Sequence, residues 1–418
     1  MLFRMQRKFL SSSEYGKLAF LFFLQMMATG MWFVPLTRLL GSHGLTRIIP
    51  YAYASSAVAA FVSPLVFGAM ADRHVSPARV LRWLAMASAA AMAVVSWSIA
   101  RACPAVSVLC LLQLYALVSV PTTSIAASVV FSRLNDSQKQ FGPIRAVGTF
   151  GWMSGCWLIS ALNFDASPKA GYTGACVWLV LAFFTLALPA LPPASGARMT
   201  LRERMGWDAL SLLKNHDHRV VFLTAAFFSV PLAAFYPYTP PQLTQLGFQR
   251  TAAWMSLGQI TEMTAMFCLA GLFERLRLKW IFAVGLFVGV LRFSFSSINQ
   301  PVWLLAGITL HGFSYTLVFI TEQIYLNERI DPAWRARAQA LMSLMNSGFG
   351  SLAGYLGAGF WFAACSDSSG TRWTTFWFVL ATAVGAVLLY FLATYHGRGT
   401  DLRQREDELV VRKTTASE

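Results

Sequence analysis

Twelve times along its 418 residues the chain runs apolar for the length needed to cross a lipid bilayer. A hydrocarbon core about 30 Å thick takes about 20 residues of α-helix. Runs of this length fall at 17–40, 49–71, 80–100, 104–132, 142–163 and 170–192. They resume at 219–247, 251–274, 278–298, 301–327, 336–364 and 373–396. In lipid every backbone N–H and C=O must find its partner inside the protein, so runs like these fold as helices. Composition agrees: 56% of residues are hydrophobic and 12% charged, against about 25% charged in a soluble protein. The expectation is an all-α membrane protein of twelve transmembrane helices.

The net charge of +15 would point to nucleic acid in a soluble chain. Here the bases follow the loops instead. Arg4, Arg7 and Lys8 at the N-terminus, Arg73/Arg79/Arg82, Arg133/Lys139, Arg275/Arg277/Lys279, Arg335/Arg337 and the tail Arg398–Glu418 all fall on one side of the predicted bundle. The opposite loops carry about one base each (Arg47, Arg101, Lys169, Arg250, Arg372) or none. Cytoplasmic loops hold the excess of lysine and arginine, so both termini are expected in the cytoplasm, with no nucleic-acid partner. This alternation requires an even number of helices. The basic N-terminus leads into Gly16–Leu40 without a small-residue cleavage site, which reads as a retained first helix. Six scattered cysteines show no metal-ligand spacing and read as small apolar packers, so no metal is expected.

Pro192–Arg219 is the one long polar stretch within the hydrophobic region. It divides the chain into an N-terminal half (1–192), a cytoplasmic linker (193–218) with a short amphipathic segment at Trp207–Leu213, a C-terminal half (219–397) and a charged cytoplasmic tail (398–418), expected to be disordered. Two six-helix halves joined by such a linker are the plan of the major facilitator superfamily. Gly68-Ala-Met-Ala-Asp72-Arg73, with Arg79 further on, resembles that superfamily's signature loop between the second and third helices. Asp72 and Arg73 are accordingly expected to gate. A degenerate echo, Gly271-Leu-Phe-Glu274-Arg275, stands at the matching place in the second half. Gly350, Gly354 and Ala358 form a small-residue stripe that reads as helix packing.

Ionisable groups within membrane spans are costly and mark function by default. Four stand out: Arg145, Glu262, His311 and Glu322. Glu262 lies near mid-span with Gln259 three residues away on the same face. A carboxylate there can carry a proton or accept sugar hydroxyls. Arg145, Thr149 and Trp152 form one stripe of the fifth helix, offering a cation, a hydroxyl and an aromatic plane. Arg145 has the alternative of snorkelling to the interface. His311, Tyr315 and Glu322 are expected on one face of the tenth helix, with His311 either a packing donor or a ligand. Similar depth suggests that Glu322 pairs with Arg145 across the halves and helps close the cytoplasmic gate.

Several segments resemble the nucleoside:proton symporter family of the superfamily. They are Phe23-Leu-Gln25 with Trp32, Val120-Pro121-Thr122, Gly142-Pro-Ile-Arg145-Ala-Val-Gly148-Thr149-Phe-Gly151 and Phe235-Tyr236-Pro-Tyr-Thr-Pro240. Gly258-Gln259-Ile-Thr-Glu262, His311-Gly312-Phe-Ser-Tyr315, Gln323-Ile-Tyr325 and Ser347-Gly348-Phe-Gly350 continue the likeness, in order, across nearly all twelve helices. The resemblance implies a nucleoside bound between the halves and driven inward across a bacterial inner membrane, with the proton as coupling ion and no cofactor. It places Arg145, Thr149 and Trp152 on one side of the site and Gln259 and Glu262 on the other, with Tyr236, His311 and Tyr315 also lining it. One departure stands out: the family's acid directly after the aromatic residue of the tenth helix is Thr316 here, which cannot titrate. The proton then falls to Glu262 or Glu322, or coupling is lost and a facilitator remains. Ala233 likewise stands where a polar ligand is expected.

A sugar or sugar conjugate is the alternative substrate, since its hydroxyls suit Gln259 and Glu262 equally. A membrane-embedded sensor is the alternative class. No His-Glu-x-x-His, nucleophile-elbow or phosphate-loop motif is present, so no enzyme or ATP-driven pump is read, and a monomer is the expected state.

Overall fold

The computed structural model describes residues 12–71, 75–131, 133–134, 137–188, 207–331 and 334–397. Asp72 and Arg73, the expected gating pair, and the tail from Arg398 lie outside the described residues, as does most of the linker.

Among the described residues the chain forms twelve helical spans. The first half holds α1 (Ser12–Phe33, continued by Leu36–Ser42), α2 (Ile49–Ala71), α3 (Pro77–Ala100), α4 (Ala105–Phe131), α5 (Ser137–Ala161) and α6 (Lys169–Phe184). After the linker come α7 (His216–Leu232, then Phe235–Gln245), α8 (Thr251–Met255, then Leu257–Arg275) and α9 (Leu278–Ser297). The last three are α10 (Pro301–Tyr315, resumed at Thr321–Arg329), α11 (Arg335–Ser343, resumed at Ser351–Cys365) and α12 (Trp373–Thr394). Eight of them are long and apolar enough to span a membrane by composition alone. Of the remainder, α5 carries Arg145, α8 carries Gln259 and Glu262, and α11 carries Asn346.

Helices stand at the predicted apolar runs, in order, with two corrections. First, α1 and α7, expected as unbroken runs, each break two-thirds of the way along. Pro35 opens the second piece of α1, and Pro231 sits just before the break in α7. A proline has no N–H to give the preceding turn, so the helix bends there. Matching breaks in the leading helix of each half are what repeated halves predict. Second, α6 ends in a 3₁₀ turn at Thr185–Ala187, short of the 192 expected. The amphipathic segment of the linker forms a 3₁₀-helix, Trp207–Lys214, with Ala209 buried and Trp207 and Leu210 exposed.

Two large buried clusters are centred one in each half. Tyr53, Trp178 and Phe22 belong to the first, and Phe282, Phe293, Phe376, Trp377 and Phe391 to the second. The first cluster also takes in Ala233 and Tyr355 of the second half, and a third joins Val34 and Cys156 to Phe235, Leu243, Met255 and Leu304, so the halves share packing where they meet. They meet along α2–α11, α5–α8 and the broken ends of α1 and α7. In lipid there is no hydrophobic drive between helices, so close packing must supply the attraction. Gly151 of α5 sits where a Cβ would overlap the Phe23 backbone of α1. Gly354 of α11 would strike Val230 and Ala233 of α7, so the small-residue stripe does pack helices.

At the end away from the linker the halves are tied by hydrogen bonds. Asp165, just before α6, accepts from the Ala252 N–H at 2.8 Å and from Ser160 Oγ at 3.0 Å. Ser160 in turn accepts from the Ala253 N–H at 2.9 Å, and Trp157 Nε1 donates to Ser256 Oγ at 2.7 Å. A carboxylate at the first turn of α8 meets N–H groups that no helical carbonyl can satisfy.

Candidate functional site

A cavity of about 350 Å³ lies between the halves, and Arg145, Thr149, Trp152, Tyr236, Gln259, Glu262, His311 and Tyr315 all line it. From these mid-span residues it runs along Gln323, Met342 and Ser343, toward the linker ends of α10 and α11. Rings close it on the other side: Phe33 packs on Tyr236 at 5.2 Å and on Tyr53 at 5.0 Å between centroids, and Trp152 lies 5.9 Å from Tyr236.

At its centre an ion pair joins the halves. Arg145 Nη2 stands 3.7 Å from Glu262 Oε1, and Arg145 Nη1 donates to Thr149 Oγ1 at 2.9 Å. Arg145 therefore turns inward and does not snorkel. Thr149, one helical turn on, holds the guanidinium in place. Glu262 is 7% exposed. In so dry a setting, removing one partner of such a pair leaves an uncompensated charge, at a cost of about 3–5 kcal/mol.

Beside the pair, two polar atoms have no partner among the described residues. Gln259 Nε2 donates to Tyr236 Oη at 3.1 Å, but Gln259 Oε1 accepts nothing, and Trp152 Nε1 donates to nothing. Buried polar groups are ordinarily satisfied, so an open acceptor and an open donor on one cavity wall mark places for a polar ligand.

His311 is settled by a residue that the sequence reading passed over. Arg292 of α9 is 1% exposed and donates from Nη1 to His311 Nδ1 at 2.6 Å. Arginine has no acceptor, so Nδ1 must accept and the imidazole proton sits on Nε2. His311 is thus a neutral ring with its other nitrogen a donor. It stacks on Phe235 at 4.0 Å, and the Arg292 guanidinium lies 4.5 Å from the rings of Phe235 and Phe293. Arginine spread over two aromatic faces is a cation held by π-electrons. The signal was in the sequence: Arg292 stands alone inside the ninth apolar run.

Glu322 is not where helical spacing puts it. Thr316–Ile320 is a π-helical segment, which inserts an extra residue into the turn. The cavity face of α10 therefore reads His311, Tyr315, Phe319, Gln323, and Glu322 points aside. The expected Arg145–Glu322 bridge does not form: Arg145 pairs with Glu262, and Glu322 accepts from Asn346 Nδ2 at 2.7 Å. A second π segment, Leu344–Gly350, shifts α11 in the same way and lines the cavity with Ser343, Ser347, Ser351 and Tyr355. Gln323 and Asn346 were missed because their lining positions depend on these turns. Thr316 is buried, and its hydroxyl has no partner among the described residues.

Two six-helix halves around a polar central cavity define a secondary transporter of the major facilitator superfamily. Comparison with known proteins narrows the class. The sequence profile of the family described as nucleoside H+ symporter matches residues 13–399, and the chain belongs to that family. It is 32% identical to YegT of Escherichia coli (strain K12) over 359 residues, 81% of this chain and 82% of that one. It is 24% identical to the nucleoside permease NupG of Escherichia coli (strain K12) over 409 residues, 91% and 95% of the two chains. The crystal structure of NupG superposes with a TM-score of 0.80 at 23% identity, covering 91% of this chain and 98% of that one.

Proposed function

We propose that the protein imports nucleosides across the bacterial inner membrane by alternating access, driven by protons, with both termini in the cytoplasm. The observation that carries this is the ion pair between Arg145 and Glu262, made across the halves in the wall of the cavity, next to the open atoms of Trp152 and Gln259. A nucleoside has a flat base and a ring of hydroxyls. Trp152, Tyr236 and Tyr315 offer aromatic faces to the base. Glu262 and Gln259 Oε1 accept from ribose hydroxyls, while Arg145, Trp152 Nε1 and the His311 donor serve base or ribose oxygens.

The same pair gives the transport step a handle. A substrate that bonds to Glu262 and Arg145 competes with the bond they make to each other, so binding alters what holds the halves together. The ties at Asp165 and Ser160 must open for the cavity to face the other side. Asp72 and Arg73 belong to this reading as gating residues. Either Glu262 or Glu322 carries the coupling proton. The monomer is the working unit, since one chain supplies both walls of the site.

Uptake of radiolabelled uridine and adenosine by nucleoside-transport-deficient bacteria tests the reading. Accumulation above the external concentration, abolished by an uncoupler, is the expected result. Equilibration without accumulation would mean an uncoupled facilitator. No uptake of either compound at verified membrane expression would overturn the nucleoside reading in favour of a sugar-type solute.

A further inference from the structure

Glu322 is fully buried, and Asn346 is its one hydrogen-bond partner among the described residues. The other two oxygens of this pair, Glu322 Oε1 and Asn346 Oδ1, each lack a donor among the described residues. As a carboxylate, Glu322 would leave an anion in an apolar wall with a single neutral hydrogen bond, a costly arrangement. One proton on Oε1 removes the difficulty. It ends the charge and supplies the donor that Asn346 Oδ1 lacks, so that carboxylic acid and primary amide close a ring through two hydrogen bonds.

We propose that Glu322 and Asn346 form the proton-binding site of the transport cycle, loaded with its proton in this conformation. The proposal rests on the symport reading and fixes which of the two acids carries the proton. It explains how Thr316 can stand where the sequence resemblance expects an acid: the titrating group sits farther along α10.

Three features support the assignment. Glu322 stands apart from the ion pair, so its proton is not traded against Arg145. Asn346 lines the cavity, which puts solvent one side chain away from Oε1. Asn346 lies within the π-helical segment Leu344–Gly350 and Glu322 just beyond Thr316–Ile320, and π-helical turns occur frequently at functional sites. Two charged groups of the neighbouring elements lie mid-span and are already engaged, Arg292 on α9 with His311 and Glu262 on α8 with Arg145. The others, Asp217 and His218 on α7, Lys279 on α9, Glu328 and Arg329 on α10, and Arg335 and Arg337 on α11, lie toward the linker ends of their helices. Tyr325, one turn beyond Glu322, is engaged by His218 at 2.7 Å. In the cycle, water on the outer side gives the proton to Oε1 and water on the inner side takes it back. The deprotonated acid then demands donors that the packed α10–α11 contact does not supply, which favours the rearranged state.

Infrared spectroscopy of the purified protein in lipid at neutral pH tests this without any substrate. The C=O stretch of a protonated carboxyl is expected in the parent protein and in Glu262→Gln, and lost in Glu322→Gln. Glutamine keeps both bonds to Asn346 and so preserves the packing. Identical spectra for the parent and Glu322→Gln would overturn the proposal. In proteoliposomes Glu322→Gln is expected to retain nucleoside exchange within about twofold while losing all uphill accumulation. Undiminished accumulation by that variant would equally overturn it. If the parent moves no nucleoside at all, the substrate reading fails and the infrared result still decides the proton site.

Discussion

Glu262→Gln is expected to lower the initial rate of nucleoside uptake by about 100-fold at matched membrane expression, and Arg145→Ala by at least as much. The magnitude follows from the ion pair. Losing one member of a buried pair costs about 3–5 kcal/mol, and each 1.4 kcal/mol is about tenfold in affinity. Arg145→Ala is the harsher change, because it strands the more deeply buried charge: the Glu262 side chain is 9% exposed against 26% for Arg145. The double variant Arg145→Ala/Glu262→Gln is expected to be no worse than the poorer single variant, since no unpaired charge remains. Measured as a double-mutant cycle, strict additivity would mean that the two residues act independently and that their pairing is incidental.

Gly312→Ala is the second large effect, and its cause is steric. A Cβ at Gly312 would overlap the Glu262 N–H, the Gly258 carbonyl oxygen and Thr261 Oγ1, all on α8. Two of those atoms are backbone and cannot turn aside, so α10 must back away from the helix that presents Glu262. Overpacking of this kind costs about 1–3 kcal/mol in stability. The consequence for uptake is larger, because a catalytically or transport-competent geometry tolerates little displacement of its polar groups. Gly312→Ala should abolish uptake and lower the thermal midpoint of the purified protein. Gly357→Ala and Gly385→Ala, at positions where a Cβ meets nothing within 4 Å, should leave both unchanged. Equal loss in all three would show that glycine content, not this contact, is what matters.

Hydropathy carried the fold, because lipid leaves a backbone few ways to satisfy itself and each span must be long and apolar. The breaks in α1 and α7 were less visible. Pro35 and Pro231 sit in runs apolar enough to read straight through, and their effect depends on neighbouring helices filling the bend. The lining residues were legible for a similar reason. Arg145, Thr149 and Trp152 keep regular spacing on a regular helix, and Gln259 and Glu262 do so on α8. Glu322 was misplaced because a π turn forms under tertiary contact and has no sequence period of its own. One inserted residue in Thr316–Ile320 was enough to carry Gln323 to the cavity and Glu322 away from it. Arg292 shows the opposite failure: a plain signal that went unused, though the rule applied to Arg145 covers it equally.

Proton movement tests symport most directly. Purified protein is reconstituted into vesicles with a weakly buffered exterior, and external pH is followed as uridine or adenosine is added. Symport predicts a rise in external pH on addition, in fixed ratio to the nucleoside taken up, abolished by an uncoupler and absent in Glu322→Gln. Nucleoside entry with no change in external pH would contradict it.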